Sequence, residues 1–208
     1  MKANLPRLDQ DELADGIRAQ MGNQLQLGLL EYEKFVMWSW ESFDNPDAIS
    51  ERGIRAAAAR VWDERVAEQQ TWTGRSDADR LEAAFAELDA AGVLARMNFW
   101  CCGSCASWAL WKNELPNRPQ LSGYVYFNSQ TAERILDEGE IVMAHGSFVP
   151  RGSPGEAEAD RANAERVLAV LRAHGLTAEA EGTYGIRVKL PDWRRRLPAR
   201  PDPDVKSS

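Results

Sequence analysis

The sequence has no uninterrupted apolar run that is long enough to cross a membrane. A transmembrane helix needs about 18 to 20 consecutive apolar residues, and no such stretch occurs among the 208 residues. The N-terminal sequence MKANLPRLDQDEL also lacks the apolar segment of a secretory signal peptide. We therefore expect a cytoplasmic protein that does not associate with a membrane.

Histidine and cysteine are scarce, with two and three residues respectively. An odd number of cysteines in a reducing compartment argues against a fold built on disulfides. The GK[ST] sequence of phosphate-binding P-loops is absent. The glycine-bearing segment 146–155 is therefore not predicted to bind phosphate, and the acidic residues that follow it would repel an anion. Ser153 to Glu156 instead predicts a capping box that opens a helix.

An excess of basic charge is also missing. The chain has 25 lysines and arginines against 32 acidic residues, which gives a net charge of -7. Long-range repulsion from phosphate backbones excludes general nucleic-acid binding as an expected function. With 44% hydrophobic residues the chain has enough apolar material for a folded core. A protein partner is a remaining hypothesis, for which Trp100, Trp108 and Trp111 would supply a hydrophobic surface.

All three cysteines fall within residues 98–111, NFWCCGSCASWALW. Apolar residues alternate along positions 93 to 99, which predicts a strand that enters this stretch. After it, Cys102, Cys105 and Trp108 recur at helical spacing, so a helix beginning near Cys102 would carry them on one side. The positive end of such a helix lowers the pKa of a nearby thiol. Cys102 is therefore predicted to be the more acidic sulfur.

One interpretation of the cluster is redox chemistry. Trp100 followed by Cys102-Gly103-Ser104-Cys105 resembles the CxxC site of thioredoxin-like proteins. Cys102 would be the nucleophile and Cys105 its resolving partner. The pattern departs from that site because Cys101 interrupts it, and no proline lies near the 124–127 strand to face the cysteines.

A second interpretation is a metal site. Cys102 and Cys105 have the spacing of one zinc knuckle, so zinc is the cofactor that the pattern indicates. Cys101 would be the third ligand, and the fourth is unknown, since no second knuckle exists and only His145, His174 or a carboxylate could supply it. Neighbouring residues on an extended backbone point in opposite directions, which argues against Cys101 and Cys102 binding one ion.

A third interpretation treats the cysteines as small hydrophobes buried among the surrounding tryptophans. A disulfide between Cys101 and Cys102 is disfavoured because adjacent Cα atoms lie about 3.8 Å apart, whereas relaxed disulfides need about 4.4 Å or more. Two functional hypotheses stay open. The chain is either a binding or regulatory module with a core or structural-metal cysteine cluster, or a thiol-dependent redox protein.

The pattern of the whole chain predicts an α+β fold. Residues 1–75 form a helical region in which a break is predicted at 45–47, and residues 76–196 form an α+β domain that carries the cysteines. Residues 197–208, rich in proline, are predicted to be a flexible tail. We expect the helical region to pack on a small mixed β-sheet with interspersed helices and a C-terminal hairpin between residues 176 and 190.

Local signals add detail to this outline. Ser76 and Asp79 predict a capping box for a helix that ends near Gly92. Residues 113–120 contain two prolines and are predicted to be a loop. Strands are predicted at 123–127 and 140–145, and His145 at the end of the second is predicted to be a polar edge residue.

Several segments together resemble an uncharacterised bacterial family, a domain of unknown function. They are Trp72, DRLEAAF at 79–85, NFWCCGSC at 98–105, GYVYF at 123–127 and DWRR at 192–195. The resemblance covers residues 60 to 196 and implies an intracellular bacterial protein with a shared architecture, but no reaction. Members of that family carry a histidine, an acid and a glycine where this chain has Asn128, Thr131 and Ala106. The resemblance thus implies that any site using that histidine is lost here.

Overall fold

The computed structural model describes residues 8–43 and 49–201. The described helices are α1 Gln10–Leu27, α2 Tyr32–Glu41, α3 Glu51–Glu68, α4 Asp77–Ala90, α5 Gly103–Ala109, α6 Leu115–Asn117, α7 Ser129–Ala132, α8 Arg134–Glu138 and α9 Glu156–Ala173. The strands are β1 Val93–Arg96, β2 Gly123–Tyr126, β3 Glu140–Ser147, β4 Thr177–Glu181 and β5 Gly185–Lys189. The break predicted at 45–47 lies outside the described residues. No helix in the described ranges is both long and apolar enough to span a bilayer.

The predicted α+β class is confirmed. The strands form one mixed sheet in the order β1-β2-β3-β5-β4. β1 runs parallel to β2, and the remaining neighbours are antiparallel. β4 and β5 form the predicted C-terminal hairpin. The chain divides into two compact units, one containing residues up to Gly74 and from Arg195 onward, the other Arg75–Arg194.

The helical unit has its own core, formed by the apolar faces of α1, α2 and α3. Trp62 on α3 lies at its centre with 1% of its surface exposed. Its ring centroid is 5.4 Å from those of Tyr32 and Phe35. The buried residues of α3 recur at helical spacing, as expected for the helical region predicted over residues 1–75.

The predicted tail begins inside this unit. Leu197 is buried, and its N–H donates to the Gln69 side chain at 2.8 Å, which in turn donates to the Leu197 carbonyl. The Trp62 indole N–H donates to the carbonyl of Pro198 at 3.0 Å. The chain from 197 to 198 is therefore anchored, because it satisfies buried polar groups of the helices. Residues 202–208 lie outside the described residues.

In the second unit α9 is fixed across the central strands by polar contacts. The Asn163 amide donates to the carbonyls of Tyr124 on β2 and Gly146 on β3, both at 3.0 Å. A Cβ at Gly123 would lie 2.4 Å from Asn163 Oδ1, so this approach requires glycine. The Asp160 carboxylate accepts from the backbone and hydroxyl of Ser147. These contacts fix α9 across β2 and β3.

Two local predictions are wrong. The helix α9 begins without a Ser153 cap: Gly155 precedes it with φ 88°, and the Glu156 carboxylate accepts from the Gly152 N–H instead. Residues 113–117 are helical, because a wide π turn over Leu110–Glu114 leads into α6, where Pro116 occupies a first-turn position that needs no N–H. The Ser76 to Asp79 capping box of α4 is confirmed.

Candidate functional site

Cys101 and Cys102 lie on the bent loop between β1 and α5, and Cys105 lies in the first turn of α5. The predicted strand ends at Arg96, and Asn98 and Trp100 adopt left-handed φ values of 51° and 62°. A tryptophan in this region is strained by about 1 to 3 kcal/mol. The strain is concentrated in the segment that joins β1 to α5.

Hydrogen bonds from the segment after β2 hold this loop in place. The Phe99 N–H donates to the Phe127 carbonyl at 2.7 Å, and the Ser129 N–H donates to the Trp100 carbonyl at 3.0 Å. The Ser129 hydroxyl donates to Asn98 Oδ1 at 2.7 Å. The loop is therefore held by backbone and side-chain groups about 30 positions further along the chain.

This bend brings all three thiols together. Cys101 Sγ and Cys102 Sγ are 3.8 Å apart, and all three sulfurs, including that of Cys105, lie within 4.8 Å of one another. The two neighbouring sulfurs therefore do not point apart as expected, although the backbone of Cys102 is extended, with φ -151°. All three cysteines are free. The 3.8 Å separation of the Cys101 and Cys102 sulfurs matches tetrahedral zinc coordination, in which Zn–S bonds of about 2.3 Å place sulfurs about 3.8 Å apart.

The thiols are accessible from solvent. Cys101 is exposed and Cys102 and Cys105 are half-buried. Trp100 and Trp108 beside them are 44% and 56% exposed. The interpretation of the cysteines as core residues is wrong, because α5 turns another face inward, on which the buried residues are Ala106, Ala109 and Leu110.

The local hydrogen bonds distinguish the sulfurs. Cys102 is the N-cap residue of α5, and the backbone N–H of Cys105 together with the neighbouring thiols lowers the pKa of Cys102. Hydrogen bonding to Cys101 and then to Cys102 raises the pKa of Cys105 to about 11. The direction at Cys102 is the one predicted from the strand-to-helix junction.

No fourth protein ligand accompanies the thiols within residues 8–43 and 49–201. The group of potential metal ligands found there contains the three cysteines alone. His174 bonds to Glu87 at 2.8 Å at the end of α9, and His145 lies on β3. Asn128 and Thr131 form a capping box that opens α7. A fourth coordination position would therefore be open to solvent or to a bound molecule.

A family model described as "Domain of unknown function (DUF6891)" matches residues 10–197. The chain belongs to this family. The DUF6891 match confirms the predicted resemblance, and it begins about 50 residues before the range over which the sequence motifs indicated it. No curated protein and no solved structure matches the chain.

In this DUF6891 chain a second group of polar residues lies away from the cysteines. His145 is 3% exposed, and the prediction of a polar edge residue is wrong because β3 pairs with both β2 and β5. The alternation of Ile141, Met143, His145 and Ser147 could have shown that the imidazole lies on the face that α9 covers. Its Nδ1 is buried without a hydrogen-bond partner.

We expect the unfolding free energy to fall between pH 7.5 and pH 5.5 because of His145. Burial lowers its pKa, and the Asp160 carboxylate opposes this effect only in part. Unfolded histidine titrates near 6.5, so below that pH the unfolded chain binds the proton more readily. The neutral His145 contributes its full stabilisation above about pH 6.5. As the pH falls below this value, the unfolding free energy decreases by at most about 1.4 kcal/mol per pH unit.

Urea unfolding of the wild type and of His145→Gln at several pH values checks this expectation. Glu156 and Asp160 on α9 also face this region, and both proteins in the comparison retain them. The variant should have a flatter profile above pH 5.5. Equal slopes for both proteins would contradict the assignment to His145.

Proposed function

We propose that this protein binds a zinc ion through the thiolates of Cys101, Cys102 and Cys105. The observation that carries the proposal is the separation of the sulfurs, at most 4.8 Å and 3.8 Å for the adjacent pair. Thiolates are favoured ligands of zinc, and a nearly correct geometry before binding reduces the cost of ordering the site.

The surrounding chain supports this role. The hydrogen bonds to Phe127 and Ser129 fix the backbone just before Cys101, and the Gln130 N–H donates to the Cys101 carbonyl at 3.3 Å. A zinc ion would replace the protons that the three thiols hold, so its affinity should rise with pH. With three protein ligands and an accessible fourth position, the site resembles open zinc sites in its ligand number. The exposed Trp100 and Trp108 would flank a molecule bound there.

The experiment measures zinc content and thiol reactivity on native protein purified without chelator. We expect about one equivalent of zinc, with thiols that react slowly until a chelator removes the metal. Protein that arrives without metal is reconstituted with zinc and measured again. A chain that retains no zinc after reconstitution, and whose thiols react equally fast with and without zinc, contradicts the proposal.

Thiol redox activity is a second candidate, supported by the accessible neighbouring sulfurs of Cys102 and Cys105. The Cys102 thiolate would attack a substrate disulfide, forming a mixed disulfide and releasing one substrate thiol. Cys105, losing its proton, would then displace the second thiol. The protein dithiol is thereby oxidised to a disulfide and the substrate disulfide is reduced.

A Cys105→Ser variant separates the two candidates. Metal-free Cys105→Ser incubated with oxidised glutathione should accumulate a mixed disulfide at Cys102 if the redox candidate is correct, whereas the wild type should release it. Mass spectrometry identifies the adduct. If the variant formed no adduct, or an adduct on Cys101 alone, disulfide reduction by the Cys102 and Cys105 pair would be contradicted.

A further inference from the structure

A cleft of about 380 Å³ lies between the N-terminal half of α9 and the turn of the β4 to β5 hairpin. Small residues face each other across it, namely Ala157, Ala164, Ala180 and Gly182. The space exists because these side chains are too short to fill the gap between helix and sheet. Its walls are therefore largely apolar and well suited to a flat ring.

His145 is the polar group at the sheet side of this cleft. Only 3% of the surface of this residue is exposed. Nδ1 is buried and has no hydrogen-bond partner. Nε2 is therefore the ring nitrogen that can form a hydrogen bond with a bound molecule. Burial lowers the pKa of His145, which keeps the imidazole neutral near pH 7. A ligand that pairs with Nε2 would gain one hydrogen bond in a largely apolar site, whereas the buried Nδ1 stays out of its reach.

The charges that line the cleft are largely compensated. Arg151 forms an ion pair with Glu156 at 2.7 Å and lies 3.5 Å from Asp160. Asp160 also accepts two hydrogen bonds from Ser147. Because these carboxylates already have partners, they give little selectivity for a cation, and they disfavour an anion. Arg161 adds one exposed cation at the rim.

A metal ion does not fit this cleft as it is built. His145, Asp160 and Glu156 do not form a group of three converging ligand atoms, whereas the cysteines do within the same described part of the chain. Tyr184, half exposed, adds an aromatic ring at the opening, with the Arg151 guanidinium 4.9 Å from its centroid. Largely apolar walls, an aromatic ring and one neutral hydrogen-bonding group together indicate an aromatic ligand.

We propose that this cleft binds a small uncharged heteroaromatic molecule that forms a hydrogen bond with His145. The ring would lie between the alanines of α9 and the sheet, and a ring nitrogen or oxygen would pair with Nε2. This site is independent of the cysteine cluster and uses none of its residues.

Titration of the full chain with benzimidazole at pH 7.5, where this probe is mostly uncharged, tests the proposal. The readout is the nitrogen resonance of the His145 ring together with the amide signals of Ala157 and Thr183. We expect saturable shifts in these signals at a probe concentration of about 1 mM, an affinity typical of a fragment of this size. No saturable shift up to about 10 mM would overturn the proposal.

Matched variants localise the binding. Ala157→Leu places a larger side chain in the cleft and should weaken binding at least about tenfold. Ala162→Leu makes the same change on another face of α9 and should keep the affinity within about twofold. His145→Leu should weaken it by about two- to tenfold, which is the value of one hydrogen bond. Binding that Ala157→Leu leaves unchanged, or tighter binding of benzoate or benzamidine than of benzimidazole, would overturn the proposal.

Discussion

Cys102→Ser is expected to lower the affinity of the protein for zinc by about 100-fold or more. The substitution preserves the size of the side chain but replaces a thiol whose local hydrogen bonds favour the thiolate. A serine hydroxyl stays protonated near neutral pH and is a poor zinc ligand. With three thiols in the cluster, the loss of one leaves two, which hold zinc much more weakly because no other protein ligand accompanies them in the described part of the chain.

Competition with a chromophoric chelator at fixed pH measures this loss. Ser104→Ala is the matched control, since Ser104 lies between Cys102 and Cys105 and carries no thiol. We expect the zinc affinity of this control to stay within about threefold of the wild-type value, because a surface substitution of this kind has little effect on stability. The zinc affinity of Cys101→Ser should be close to that of Cys102→Ser. If Cys102→Ser bound zinc as tightly as the control, Cys102 would not be a ligand.

Trp62→Ala is expected to lower the unfolding free energy by about 3 to 5 kcal/mol. The side chain is 1% exposed, contacts the rings of Tyr32 and Phe35, and donates to the carbonyl of Pro198. Alanine would leave a large cavity and remove the donor that holds the segment after Leu197. This loss is a large part of the stability of an ordinary domain.

Denaturant unfolding followed by circular dichroism compares three variants. Trp62→Phe retains most of the aromatic volume and loses the indole N–H. It should therefore lower the unfolding free energy less than Trp62→Ala does. Trp108→Ala removes a tryptophan that is 56% exposed and should change the free energy by about 0.5 kcal/mol or less. Equal effects of Trp62→Ala and Trp108→Ala would contradict the assignment of Trp62 to the core.

The helices and strands were predictable where one periodicity dominates. The buried stripe of α3 and the alternating residues of β5 follow directly from helical and strand spacing. The capping box at Ser76 marks the start of α4 because its hydrogen bonds are local. Such signals depend on residues within a few positions of each other, so they can be read without knowledge of the tertiary fold.

The geometry of the candidate site depends on distant contacts. The left-handed Trp100 has no sequence signature, since a non-glycine residue adopts it only when its surroundings impose it. Here the imposing groups, such as Ser129, follow about 30 residues later. The spacing of Cys102 and Cys105 correctly predicts one helix face. Whether that face is buried depends on Ala106 and Ala109, which take the inner positions.

Two further outcomes depend on contacts between residues that are far apart in the chain. His145 was placed at an edge because a sequence does not say which strands lie in the middle of a sheet, and β3 lies third of five. Leu197 follows the last strand and carries prolines after it, which is typical of a mobile tail. Its burial depends on polar groups of Gln69 and Trp62, more than 120 positions earlier.

X-ray absorption at the zinc edge tests the three-thiolate site most directly. Protein reconstituted with one equivalent of zinc should show three sulfur neighbours at about 2.3 Å and one lighter atom at about 2.0 to 2.1 Å. The sulfur signal should fall to two neighbours in Cys101→Ser. A spectrum of zinc surrounded only by nitrogen and oxygen would contradict the assignment of Cys101, Cys102 and Cys105 as its ligands.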